Sequence, residues 1–150
     1  RDRLRSRGLG DVYKRQHKNN ITKTASADMA RGTVVKLDAS DASKVAACSA
    51  ADSDAIGVVL DDVKSGDSVA VALLGLANHT LEAVAGGAIA AGAKVCLAAG
   101  GKVAAYPEAT SSAQNVVFVG IALTSAYADG NVVEIAHRAP TPDTVAAVAG

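Results

Sequence analysis

Two stretches of this chain are near copies of each other, and that repetition limits the fold more than any other feature. Val119–Ile135 reads VGIALTSAYADGNVVEI, and Ile56–Leu73 reads IGVVLDDVKSGDSVAVAL. Gly57 aligns with Gly120, Leu60 with Leu123, Gly66 with Gly130 and Val69 with Val133, with one extra residue in the second turn. Upstream, ARGTVVKLDASDASKVA at 30–46 matches AAGAKVCLAAGGKVA at 90–104. There Gly32 pairs with Gly92, Val35 with Val95, Leu37 with Leu97 and Val45 with Val103, and the second turn is shorter by two residues. Each half reads glycine, strand, turn, strand, loop, glycine-centred strand, turn, strand. The halves run from about 30 to 73 and from 90 to 136, joined by Leu74–Ile89. Self-similarity at this scale describes architecture, not chemistry.

Local patterning makes the units β. Val34–Leu37 and Lys94–Leu97 are short apolar segments bounded by Gly or Asp turns, and Val116–Leu123 is rich in β-branched residues around Phe118. Ser65–Gly66–Asp67, Gly100–Gly101 and Asp129–Gly130–Asn131 are turn signals. The alanine-rich run Ala83–Ala93 favours helix by propensity, but Gly86, Gly87 and Gly92 oppose a long one, leaving room for a short helical turn in Ala85–Ala91. Strand alternation puts Val35 and Leu37 inward with Lys36 outward, and Val95 and Leu97 inward with Lys94 and Cys96 outward. An outward Cys96 is expected against a neighbouring strand or subunit.

The ends read differently. Ser6–Gln16, SRGLGDVYKRQ, back-translates codon for codon into a transposon-based sequencing adapter, with DVYKRQ resembling the translated transposase mosaic end. Residues 1–16 are therefore read as adapter-derived, as in assembled environmental DNA, and are set aside from fold reasoning; the true start codon is expected to be missing. They hold six of the fifteen basic and two of the fifteen acidic residues, leaving nine and thirteen, a net charge of −4. Without its basic segment the chain has no cluster to track phosphates, so nucleic acid is not an expected partner. Residues 17–28, HKNNITKTASAD, read as a polar N-terminal arm. Residues 29–138 read as a single β domain, and residues 139–150 as a flexible tail with one helical turn at Thr144–Ala149.

The remaining 134 residues or so suffice for one domain with a modest core. That core must be built from Ala, Val and Gly: Phe118 is the only Phe, Tyr106 and Tyr127 are the only Tyr outside the adapter, and Trp is absent. Small side chains each bury little area, at about 25 cal/mol per Å2, so such a fold gains from oligomerisation or docking. The longest apolar run, Ala83–Ala93, is too short to span a bilayer, so no membrane is expected as a partner. The chain is expected to be soluble and made in the cytoplasm.

A search for chemistry returns little. Cys48 and Cys96 are far apart with no CxxC spacing, and are expected to behave as buried small hydrophobes. His17, His79 and His137 are scattered, with no partner at helical spacing to make a metal or catalytic pair. Asp61 and Asp62 look like paired acids, but the second copy has Thr124 and Ser125 there, so a solvated loop is the better account. The glycines of AVAGGAIAAGAK fit neither dinucleotide nor phosphate-loop spacing, and no serine sits in a GxSxG elbow. No catalytic, cofactor-binding or metal-binding residues are assigned, no cofactor is expected, and the chain is read as not an enzyme.

The run GGAIAAGAKVCLAAGGKVAAYPEA followed by VGIALTSAYADGNVVEI, with TASADMARGTVVKLD and AIGVVLDDVKSGDSVAVALLG before it, resembles the capsid decoration (cement) proteins of tailed bacteriophages. The resemblance covers about Ile21–His137, and its specificity lies in the order of the motifs across both halves. It implies an all-β fold, a small β-sandwich or barrel-like domain built from two similar halves. It implies a structural virion protein that binds the outside of the phage head and strengthens the shell. The implied partners are the phage major capsid protein and further copies of the chain, with a trimer favoured. The implied location is the capsid surface, after synthesis in the cytoplasm of a bacterial host. The arm Asn19–Asp28 would contact the shell or a neighbouring copy.

Two other readings compete. A biotinyl- or lipoyl-like carrier would need a lysine at a hairpin tip, and neither Lys64 in DVKSGD nor Lys102 in GGKVA has the right flanks. A tail or fibre adhesin would carry more aromatics. The physics suits a decoration role: short strands offer edges for pairing with another chain, mild negative charge keeps a free copy soluble, and weak contacts repeated on a lattice give avidity.

Overall fold

The computed structural model describes residues 20–148; residues 1–16, read as adapter-derived, and the first residues of the expected arm lie outside the described residues. Among the described residues ten strands are joined by turns and loops, with one 3-10 turn at Ala99–Gly101. The first unit comprises β1 (Asn20–Ala25), β2 (Val34–Leu37), β3 (Lys44–Ala47), β4 (Gly57–Val59) and β5 (Ser68–Leu73). They close into a barrel in the order β1-β3-β2-β4-β5, with β5 returning antiparallel onto β1. The second unit comprises β6 (Leu81–Val84), β7 (Lys94–Ala98), β8 (Lys102–Ala105), β9 (Gln114–Ala122) and β10 (Val132–Val145). Its order is β6-β10-β9-β7-β8, and a parallel bridge between Ala85 and Val103 ties its two ends.

Counted from its own first strand, the second sheet has the barrel's order of neighbours. The register agrees residue by residue: Val35 faces Gly57 where Val95 faces Gly120, and Leu37 faces Val45 where Leu97 faces Val103. The bridge Met29–Val63 likewise has its counterpart in Ile89–Ala126. A Cβ on Gly57 would sit 2.3 Å from the Ala72 carbonyl oxygen, and one on Gly120 2.4 Å from that of Ala136. These glycines are where one strand lies flush against its neighbour's backbone.

Valines fill both units because a β-branched side chain packs well on a pleated surface. Val35, Val45, Val59, Val69 and Val71 fill the first barrel. The adjacent residues Val34, Val58 and Ala72 point out of it and pack into the core of the second unit, with Leu81, Val95, Val103 and Ile135. The barrel wall is therefore apolar on both faces where the units meet. The second unit's Gly101 completes the contact, donating its N–H to the Cys48 carbonyl at 2.7 Å.

Several expectations are revised. The polar arm contains a strand: β1 pairs with β5 over Asn20–Thr24 and with β3 at Thr24–Ala25, and the connection between units contains β6. The loose tail is replaced by the end of β10, whose Thr141–Val145 pair with Phe118–Gln114 beyond a bulge. Pro140 and Pro142 are tolerated because this stretch has β9 alone as a neighbour, so an absent N–H on the outer side leaves no ladder bond unmade. Instead of a helical turn at Thr144–Ala149, Val148 donates its N–H to the Thr110 carbonyl at 2.9 Å. The segment Ala85–Ala91 forms bridges and bends, not a helical turn. Leu37 is 40% exposed at the end of β2, unlike Leu97 at 3%. Cys96 is buried, covered from outside by Phe118 across the strand pair.

Gly101 tests the contact between units. Its φ of +75° favours glycine, and a Cβ there would meet Thr33 Cγ2 at 2.4 Å and the Val34 carbonyl oxygen at 2.7 Å. Gly130 has a similar φ of +92° with nothing within 4 Å. Gly130→Ala should therefore cost only backbone strain, about 1 kcal/mol. Gly101→Ala should cost about 2 to 4 kcal/mol, because overpacking adds to the strain. Urea unfolding midpoints compare the two, and equal losses would mean that the turn is not wedged.

Candidate functional site

The chain's chemistry-bearing residues are dispersed, and its aromatic residues are not. Among the described residues no group of three or more His, Cys, Asp or Glu could hold a metal ion. His17 lies outside the described residues. His79 and His137 meet only through backbone: His137 Nε2 lies 2.9 Å from the His79 carbonyl oxygen, while its Nδ1 accepts the Gly75 N–H at 2.8 Å. Those partners place the ring proton on Nε2, so His137 pins the connection between the units to β10. Asp61 and Asp62 are both exposed, on the solvated loop expected of them, and Asp62 accepts the Arg31 N–H at 2.8 Å.

The remaining residues singled out in sequence are also accounted for. Lys64 is exposed, 3.8 Å from Asp28, and Lys102 opens β8 with its ammonium 2.6 Å from Asp129. Both cysteines are free and buried. Burial pushes the Cys48 thiol up to about 12, with the charges of Asp52 and Asp54 adding to the effect, and burial alone raises Cys96. Thiols held protonated in this way are poor nucleophiles.

What the surface presents instead is the outer face of β7, β8 and β9. Tyr106 and Phe118 meet edge to face there, with ring centroids 6.2 Å apart and an interplanar angle of 83°. Lys94 Nζ stands 5.6 Å from the Tyr106 centroid, a favourable position for a cation over a ring. The Tyr106 hydroxyl donates to Asp143 Oδ2 at 2.8 Å, which ties the end of β10 to this face. Desolvation raises the Tyr106 phenol, reinforced by the bond to Asp143 and its charge. Asp143 is lowered, first by the Tyr106 hydrogen bond and then by the Thr144 N–H. Ile121, between Lys94 and Ala136 across the sheet, is half-buried.

A second exposed feature is the β9–β10 hairpin. Tyr127 is 85% exposed on a turn in which Asn131 Oδ1 accepts the N–H groups of Tyr127 and Ala128 at 2.9 and 3.0 Å. Leu123 and Val132 flank the same hairpin, both exposed. An open groove of about 470 Å3 runs between the loop at Ala50–Ser53 and the ribbon formed by Val116, Val117 and Pro142. Sequence reading noted Tyr127 and Phe118 but not the partnership of Lys94, Tyr106, Phe118 and Asp143. Nothing in their spacing announces it, because they come from four separate elements.

The described residues thus form an all-β protein with an aromatic sheet face and an exposed hairpin held by Asn131. The sequence matches the family profile of phage cement proteins over residues 14–137, and the chain belongs to that family. It is a structural protein of the phage virion, with the phage capsid as its partner. Its fold is similar to the crystal structure of the head fiber gp8.5 N base of bacteriophage phi29, with a TM-score of 0.58 at 17% identity, covering 81% of this chain and 95% of that one. No curated protein matches the sequence.

The Tyr106–Asp143 bond makes a prediction about acid stability. A carboxyl whose folded value is depressed contributes stability above its unfolded value, about 3.9, and that contribution is lost as pH falls through the folded value. In Tyr106→Phe the fall in Tm on acidification should be shallower than in the parent, with the two curves converging at the acid end. Parallel curves would show that the bond contributes nothing in solution.

Proposed function

We propose that this chain binds the outer surface of an assembled phage head and stabilises the shell, as a structural protein with no reaction of its own and no cofactor. The observation that carries the reading is the cement-protein match across residues 14–137. The partner is the phage major capsid protein, and the protein acts as a homo-oligomer, a trimer being favoured, made in the cytoplasm of a bacterial host. Two further observations support contact over catalysis: the dispersal of the titratable groups and the exposed aromatic and aliphatic residues on well-fastened turns.

We further propose that the two units are copies of one ancestral unit. The equal order of strands and the equal registers at Val35–Gly57 and Val95–Gly120 support this. On that reading β1, within the polar arm, is the counterpart of β6, and residues 1–16 are translated adapter with no part in function.

Co-sedimentation with empty mature heads of the phage whose shell protein the chain recognises tests the function. Saturable binding is expected, together with slower release of shell fragments on heating. The chain from residue 17 should bind as well as the full chain. Absence of saturable binding to the correct shell would refute the decoration role.

A further inference from the structure

The two units do not merely sit side by side; one is seated on the other. The β7–β8 turn of the second unit, Ala99–Gly101, rests on Thr33, Val34, Ala47 and Cys48 of the first. The first unit's seat is apolar, with Val34 1% and Cys48 2% exposed, and the turn that fills it, Ala-Gly-Gly, is small and neutral. The strand registers place an equivalent seat on the second unit: Ala93 for Thr33, Lys94 for Val34, Ala105 for Ala47 and Tyr106 for Cys48. Lys94 is exposed, and Ala93, Ala105 and Tyr106 are half-buried.

The turn equivalent to Ala99–Gly101 lies in the first unit, between β2 and β3, and it differs in the matching sense. It reads Asp-Ala-Ser-Asp-Ala-Ser over 38–43, two residues longer than the matching stretch 98–101, and carries two carboxylates. Asp38 Oδ1 accepts the Ser40 N–H at 2.9 Å and its hydroxyl at 2.7 Å, and Asp41 does the same with Ser43 at 3.0 and 2.6 Å. The turn is thus rigid and already shaped. Where the buried seat pairs an apolar row with a neutral turn, the open seat has gained a cation and the other turn two anions, with Lys23 Nζ on the Ala42 carbonyl of that turn at 2.9 Å.

We infer that the seat formed by Ala93, Lys94, Ala105 and Tyr106 receives the β2–β3 turn, Asp38–Ser43, of a second copy of this chain. The inference rests on the proposed equivalence of the two units. Lys94 then stands between the Tyr106 ring and the incoming carboxylates. Asp143, beside the seat and within reach of the Lys94 charge, accepts the Tyr106 hydroxyl and the Thr144 N–H. The contact is heterologous, turn to seat, so each copy offers one of each and the assembly closes as a ring if the rotation allows.

Charge reversal in the full chain tests this by sedimentation velocity over a wide range of concentration. The parent should self-associate, less strongly at high salt. Lys94→Glu, or Asp38→Lys with Asp41→Lys, should each weaken association about tenfold or more, and combining all three should restore it. Circular dichroism and Tm establish that every variant is folded. The inference is overturned by a parent that stays monomeric, by single-side reversals that leave association unchanged, or by a folded combined variant that does not recover. Head binding of each variant, measured separately, reports on the decoration role: loss of self-association with binding retained at saturating protein leaves that role standing, whereas self-association without head binding would sink it alone.

Discussion

The seating of the Ala99–Gly101 turn on Val34, Ala47 and Cys48 is the constraint on which the rest of the structure depends. Chains poor in large side chains cannot stabilise a fold with a few bulky anchors, so they must bring backbones close together over a long apolar seam. Here the wall of the first barrel is apolar on both sides, Val35 and Val59 facing in while Val34 and Val58 face the second unit. Gly101 makes the approach possible, because any side chain there would collide with Thr33. Without that seam each unit would be a small barrel with one apolar flank in water.

The same arrangement explains which parts of the fold were legible in sequence. The motifs marked strands in both halves because the glycines and valines that carry them also make the close contacts, as at Gly57 and Gly120. The strand in the polar arm was hidden because Thr22, Lys23 and Thr24 satisfy a barrel through backbone pairing with β5, leaving little apolar alternation to read. The end of β10 was hidden by Pro140 and Pro142, which argue against a central strand and are compatible with a one-sided one. Alternation placed Cys96 outward but could not show that it would be buried, with its thiol 3.9 Å from the Ala105 carbonyl oxygen. The Lys94–Tyr106–Phe118 face was illegible for a related reason: it is assembled across strands whose lateral order the sequence does not state.

Edges proved less available than a chain of short strands suggests. The first unit is closed, and the ends of the second are bridged at Ala85 and Val103. The projecting end of β10 presents Pro140 and Pro142, which have no N–H, and Thr144, whose N–H is taken by the Asp143 carboxylate at 2.8 Å. An outer edge stripped of donors at alternate positions is poorly suited to accept another strand. Recognition is thereby shifted from edges to faces and turns, where side chains rather than ladder bonds decide the partner.

That shift bears on how two units of like strand order and register keep their contacts distinct. A turn carrying Asp38 and Asp41 cannot occupy the Val34–Cys48 seat without burying unpaired charge, which costs several kcal/mol. The neutral turn at Ala99–Gly101 gains nothing from Lys94 and would leave that ammonium partly desolvated. On the proposed contact, this divergence of seat and turn orders assembly: the apolar pair is satisfied within the chain, and the charged pair is left for another copy.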